Sequence, residues 1–192
     1  MSTEPPTLRT ASRISEATTG RISQPRSTLL IAVVLTLTLS GCTGATLPGS
    51  AVTACAPVEE HPTTPGGHLL GDTAPPEEYS TVPPTSGWHT SGPPRFGVAQ
   101  PPLSEPEQVS VLEQGGVVIS YRDLPMDSLR RLREIAEAHP DRVALTAYRR
   151  LEEGTLALTA WGALQRCEEV ETETIEDFLA DHRGTTPENQ HS

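Results

Sequence analysis

A chain of 192 residues with 35% hydrophobic and 4% aromatic residues holds too little apolar material for its whole length to become core. All 14 basic residues are arginine, which excludes chemistry that needs a Schiff-base lysine or a phosphate-loop lysine. Residues 1–41 carry four arginines against two acids and residues 42–192 carry ten against 23, so the larger part repels nucleic acid and anionic headgroups.

The arginine-bearing start leads into LLIAVVLTLTL, residues 29–39, an apolar run of 11 that ends in small residues. A spanning helix needs about 20 apolar residues, so the run has the layout of a secretory signal rather than a span. It closes in LSGCTG, with the cysteine at Cys42. LSGC resembles the bacterial lipobox, in which a cysteine already thioether-linked to diacylglycerol becomes the first residue after cleavage. The resemblance implies that residues 1–41 are a lipoprotein signal peptide and that Cys42 is the lipid attachment site. Its acyl chains would hold the protein on the extracytoplasmic face of the cell membrane.

Residues 42–64 read as a flexible tether, residues 65–189 as the folded domain and residues 190–192 as a disordered tail. Between residues 43 and 106 stand 13 prolines, which forbid long helices and predict turns and extended chain. Beyond the tether, this Pro-rich segment is expected to wrap a small α+β layer that is marginal on its own.

Regular structure is predicted from about Glu107. GVVISY (116–121) is a buried strand by its β-branched content. Residues 126–140 form a helix with Leu129, Leu132, Ile135 and Ala136 in one stripe, Asp127 as N-cap and Pro140 as its stop. Residues 142–148 and 155–161 flank the loop RRLEEG and predict an antiparallel hairpin. A last helix covers residues 173–183 with Ile175, Phe178 and Leu179 inward and Gly184 behind it. The order strand, helix, strand, strand, helix is α+β, with a thioredoxin-like layer as the alternative, although no Cys-X-X-Cys pair is present to give it redox chemistry.

Cys55 and Cys167 are the thiols that remain once Cys42 is acylated, and a compartment outside the membrane permits a bond between them. Two separately buried thiols would be equally quiet, so the sequence leaves both states open. Gly115 and Gly116 turn the chain into the first strand; without a preceding strand or a lysine they are no phosphate cradle. His61 and His68 fall in irregular chain, where exposure is the default, and His182 falls on the packed face of the last helix. Trp161 ends a strand and belongs to the core, while Trp88 stands beside His89 in a turn, at a groove or in packing.

The segments PPTSGWH (83–89), VSVLEQGGVVISY (109–121), TAWG (159–162) and PEN (187–189) together resemble the bacterial domain-of-unknown-function 3105 family, over roughly residues 65–189. The resemblance implies no activity. It does imply a histidine pattern: members usually carry His-x-Leu-Glu-His-Gly where this chain has Ser110 and Gln114, plus a histidine at the place of His89. Such a trio would suit zinc or copper. This chain lacks two of the three, so any metal site here would be degraded or remodelled around His89, Glu113 and His68. The plainer roles are a backbone-bonded imidazole for His89 and a helix-end carboxylate for Glu113. No nucleophile elbow, His-Glu-x-x-His helix or catalytic Cys-His spacing occurs. The sequence thus points to a lipid-anchored binding or structural module without catalysis, meeting an envelope protein or a small ligand, with metal binding as the alternative.

Overall fold

The computed structural model describes residues 54–71 and 73–189; Cys42, the apolar run and the tail at 190–192 lie outside the described residues. In chain order the elements are β1 (Glu59–Glu60), β2 (His68–Leu69), β3 (His89–Thr90), β4 (Gly97–Val98), α1 (Glu105–Glu113) and β5 (Val117–Tyr121). They continue with α2 (Met126–Ala138), β6 (Val143–Ala147), β7 (Leu156–Ala160), β8 (Ala163–Cys167) and α3 (Thr172–His182). Six strands form one mixed sheet in the order β1-β8-β7-β5-β6-β4, and β2 pairs with β3 in a small parallel sheet. The α+β class holds. Among the described residues no helix is long and apolar enough to cross a membrane.

The apolar start of β5, Val117 to Ile119, is explained by burial on both faces, and the buried Ser120 that follows donates its hydroxyl to Gln108 Oε1 at 3.2 Å. Val117 and Ile119 point into one core with α2 and α3 residues such as Leu132, Ile135, Ile175 and Phe178. Val118 points the other way, into a second core with Val109, Val111 and Leu112 of α1 and with Trp161. A helix on each side of the sheet therefore needs only short elements to cover it.

Three sequence expectations change. The strands after α2 do not form a hairpin with each other: β6 runs parallel to β5, and β7 runs antiparallel to β5 on its other side. The loop at 149–154 strides over the end of β5 because both of its ends bond that strand, Tyr148 N–H to the Tyr121 carbonyl at 2.8 Å and Arg122 N–H to the Thr155 carbonyl at 3.0 Å. Arg122 locks it further, its Nη1 donating to the carbonyls of Arg149 at 3.1 Å and Leu151 at 2.9 Å. The true hairpin joins β7 to β8, a strand absent from the sequence reading. In the resulting sheet β8, β7, β5 and β6 lie side by side in that order, and residues 122–126 that lead into α2 contain no cysteine for the redox chemistry of a thioredoxin-like layer.

The second change concerns α1, which has a weak apolar pattern and a proline in its first turn. Its start is set by a capping box: Glu107 accepts from the backbone N–H and hydroxyl of Ser104, both at 2.7 Å. Likewise α2 begins behind Pro125, not Asp127, and ends at Ala138, because Pro140 holds His139 out of helical geometry at φ −125°. The third change is at the tether. Residues read as tether enter the sheet: β1 pairs with β8, and Ala56 and His61 N–H groups bond the carbonyls of Arg166 and Gly162. A disulfide between Cys55 and Cys167 fixes this edge.

Candidate metal centre

The small parallel sheet exists because two glycines let two loops touch. A Cβ on Gly66 would overlap the carbonyl of Gly87, and one on Gly67 would stand 2.7 Å from the Trp88 ring. His89 N–H then reaches the Gly67 carbonyl at 3.1 Å, and the register places His68 opposite His89. Trp88 is accordingly a packing residue, half-buried over the glycine pair rather than free at a groove.

Ser110 fastens β3 to α1. Its hydroxyl accepts the Thr90 N–H at 3.0 Å, lies 2.7 Å from the Thr90 hydroxyl and donates to the Pro106 carbonyl at 3.0 Å. One turn further along α1 stands Glu113. The two contacts, strand on strand and strand on helix, bring His68, His89 and Glu113 together: one ligand atom of each lies within 4.8 Å of the others. His68 is exposed, His89 is 4% exposed and Glu113 is half-buried. The two imidazoles meet edge-on, with centroids 4.7 Å apart.

The Nδ1 of His89 lies 3.0 Å from the Gly87 carbonyl, which can only accept, so this Nδ1 is a donor. That leaves Nε2 facing the cluster. Nε2 is buried and lies 3.1 Å from a Glu113 oxygen, but outside hydrogen-bond geometry. A cation between an imidazole nitrogen and a carboxylate would satisfy both. The carbonyl that holds Nδ1 is the kind of partner that orients ligating histidines. Tyr79 buttresses the same loop by donating to the Trp88 carbonyl at 2.6 Å. Burial, helped by the charge of Glu105, holds its phenol above the ordinary range, so it remains a donor.

The other sequence candidates fall elsewhere. His61 pairs with Glu59 at 3.4 Å, and His182 packs on the Phe178 ring at a centroid distance of 4.4 Å. Cys55 and Cys167 are bonded to each other. Ser110 escaped the sequence reading as a positioning residue, since a serine inside a helix ordinarily bonds its own preceding turn. Gln114 lines the cavity that contains His68 and Glu113, about 270 Å³ in volume, without acting as a strong ligand.

Two imidazoles and one carboxylate are a donor set suited to zinc, and three protein ligands leave a fourth position open. Fold and cluster define the class: a disulfide-closed α+β domain with a two-histidine, one-carboxylate group at its surface. The chain belongs to the family described as Protein of unknown function (DUF3105), which it matches over residues 73–192. His89, Glu113 and Cys167 lie inside that span, while His68 and Cys55 precede it. No curated protein and no solved structure matches the chain.

Proposed function

We propose that this protein is a lipid-anchored, extracytoplasmic metal-binding module that holds zinc or copper through His68, His89 and Glu113, with Cys42 as its membrane attachment. The observation that carries the reading is the convergence of the buried His89 Nε2, 3.1 Å from a Glu113 oxygen, with His68, so that one ligand atom of each of the three lies within 4.8 Å of the others. The anchoring part rests on the LSGC segment and on an acidic chain behind it that needs no electrostatic attraction to lipid.

The donor set favours metal holding over catalysis. Among the described residues, the cavity of about 270 Å³ is lined besides His68 and Glu113 by Thr90, Ser91, Gly92, Pro93, Pro94, Ser110 and Gln114, none of them a carboxylate, histidine or cysteine to serve as general base. The test is elemental analysis of the detergent-extracted protein, purified without chelators or histidine tags and then challenged with zinc and copper. The expected result is about one metal per chain, lost in His89→Ala and weakened at least about tenfold in Glu113→Gln. No metal above background in the unaltered protein overturns the reading.

A further inference from the structure

The three donors of the cluster are not held alike. His89 and Glu113 belong to β3 and α1, which Ser110 clamps together through Thr90. His68 arrives on a strap that starts at residue 54 and lies along the outer edge of β8. Glu168 N–H bonds the Ala54 carbonyl at 2.7 Å, Ala56 N–H the Arg166 carbonyl at 2.8 Å and His61 N–H the Gly162 carbonyl at 2.7 Å. The regular pairing within that stretch is two residues long, Glu59 and Glu60, both exposed.

From residue 54 to residue 68, Cys55 is the one buried residue. Burial of apolar side chains therefore does little to hold the strap, and its backbone bonds lie on exposed chain of the kind that opens first. The Cys55–Cys167 bond, the one covalent crosslink among the described residues, fastens it to the end of β8. Cys55 enters the main core there, beside Cys167 and residues of α2 and α3.

We propose, resting on the metal reading above, that the Cys55–Cys167 bond is a redox gate on the metal centre. With the disulfide formed the chain presents three donors. With both cysteines reduced the strap leaves β8, His68 goes with it, and the ion is left with His89 and Glu113. Closing the gate is a two-electron step: the two thiols lose two protons and two electrons to the disulfide of an oxidising dithiol protein, which leaves as two thiols. The chain thus holds metal tightly only after it reaches an oxidising compartment. The coupling is reciprocal, so the bound ion protects the disulfide against reduction by the same factor.

The test is zinc titration against a competing chelator, on the detergent-extracted protein in its disulfide form and on the double variant Cys55→Ser, Cys167→Ser, in which neither thiol of the pair remains to bind the ion. The double variant is expected to bind zinc at least about tenfold more weakly, because a released His68 has a lower effective concentration at the site. Hydrogen exchange over residues 56–68 should speed up in it while α2 and α3 stay protected. His68→Ala separates a gate from general loosening: in that background the two serines should leave zinc affinity unchanged, since the donor they release is already absent. Equal affinity with and without the disulfide, unchanged exchange over residues 56–68, or a further loss in the His68→Ala background overturns this inference and leaves the metal reading standing. Absence of zinc from the disulfide form removes both.

Discussion

Single glycines decide whether the candidate centre exists. His68 and His89 are 21 positions apart and stand on strands of two residues each, too short to hold a register by pairing alone. What holds them is the close approach of Gly66 to the Gly87 carbonyl, together with the bond from Thr64 N–H to Ser86 Oγ at 3.0 Å. Gly66→Ala puts a methyl into backbone that cannot retreat, so His68 should swing away while His89 and Glu113 stay on β3 and α1. Zinc affinity is expected to fall at least about tenfold with little loss of helix content, since two donors hold the ion far less well than three. Zinc titration and circular dichroism on that variant check it, and unchanged affinity would mean that His68 is not a ligand.

At the scale of elements, the edge of the sheet is closed covalently. β1 has two exposed residues, and its pairing with β8 would be marginal without the Cys55–Cys167 bond, which spans a sequence separation of 112. In the chain-entropy account a loop of this size contributes about 4 to 5 kcal/mol. Replacing both cysteines by alanine is therefore expected to lower the denaturation midpoint strongly, with β1 and the Pro-rich segment loosened first. Chemical denaturation in the presence and absence of reductant measures it; equal midpoints would show that the edge holds by hydrogen bonds and packing alone. The other edge is protected differently: β4 has only Gly97 and Val98 beside β6. Within the helices, α1 shows how an element can be set by its ends. Burial works to raise the Glu107 carboxyl, yet the Ser104 hydrogen bonds and Arg95 together hold it below its ordinary value, so the capping carboxylate stays charged.

For the whole molecule the open matter is where the charge and the anchor put it. Residues 42–192 carry ten arginines against 23 acids, so with residues 1–41 cleaved the remainder would be strongly acidic and would need a covalent lipid to stay at a membrane. Cys42→Ala is expected to move the protein from the membrane fraction to the soluble extracytoplasmic fraction. Immunoblotting of fractionated cells decides it: retention of the variant at the membrane would mean that the apolar run itself is the anchor.

The sequence alone was enough for the features that depend on neighbours along the chain. Both main helices, α2 and α3, were legible because burial of one stripe imposes a 3.6-residue period, and β5 because a strand covered on both faces begins with the consecutive apolar residues Val117, Val118 and Ile119. The family was legible too, from motifs that lie within short segments. Tertiary structure decided what depends on residues far apart. β7 lies beside β5 instead of β6 because the two ends of the 149–154 loop bond the end of β5, and no period within either strand encodes that choice. β8 was missed because Ala, Gln and Arg have no strand signature until Leu156 and its neighbours lie opposite them. The sequence named His89, Glu113 and His68 as a possible remodelled set, but their convergence depends on a glycine contact and a serine clamp between segments 20 or more residues apart. Such contacts arise only from packing, which is why local sequence could suggest the group and only the folded chain could bring it together.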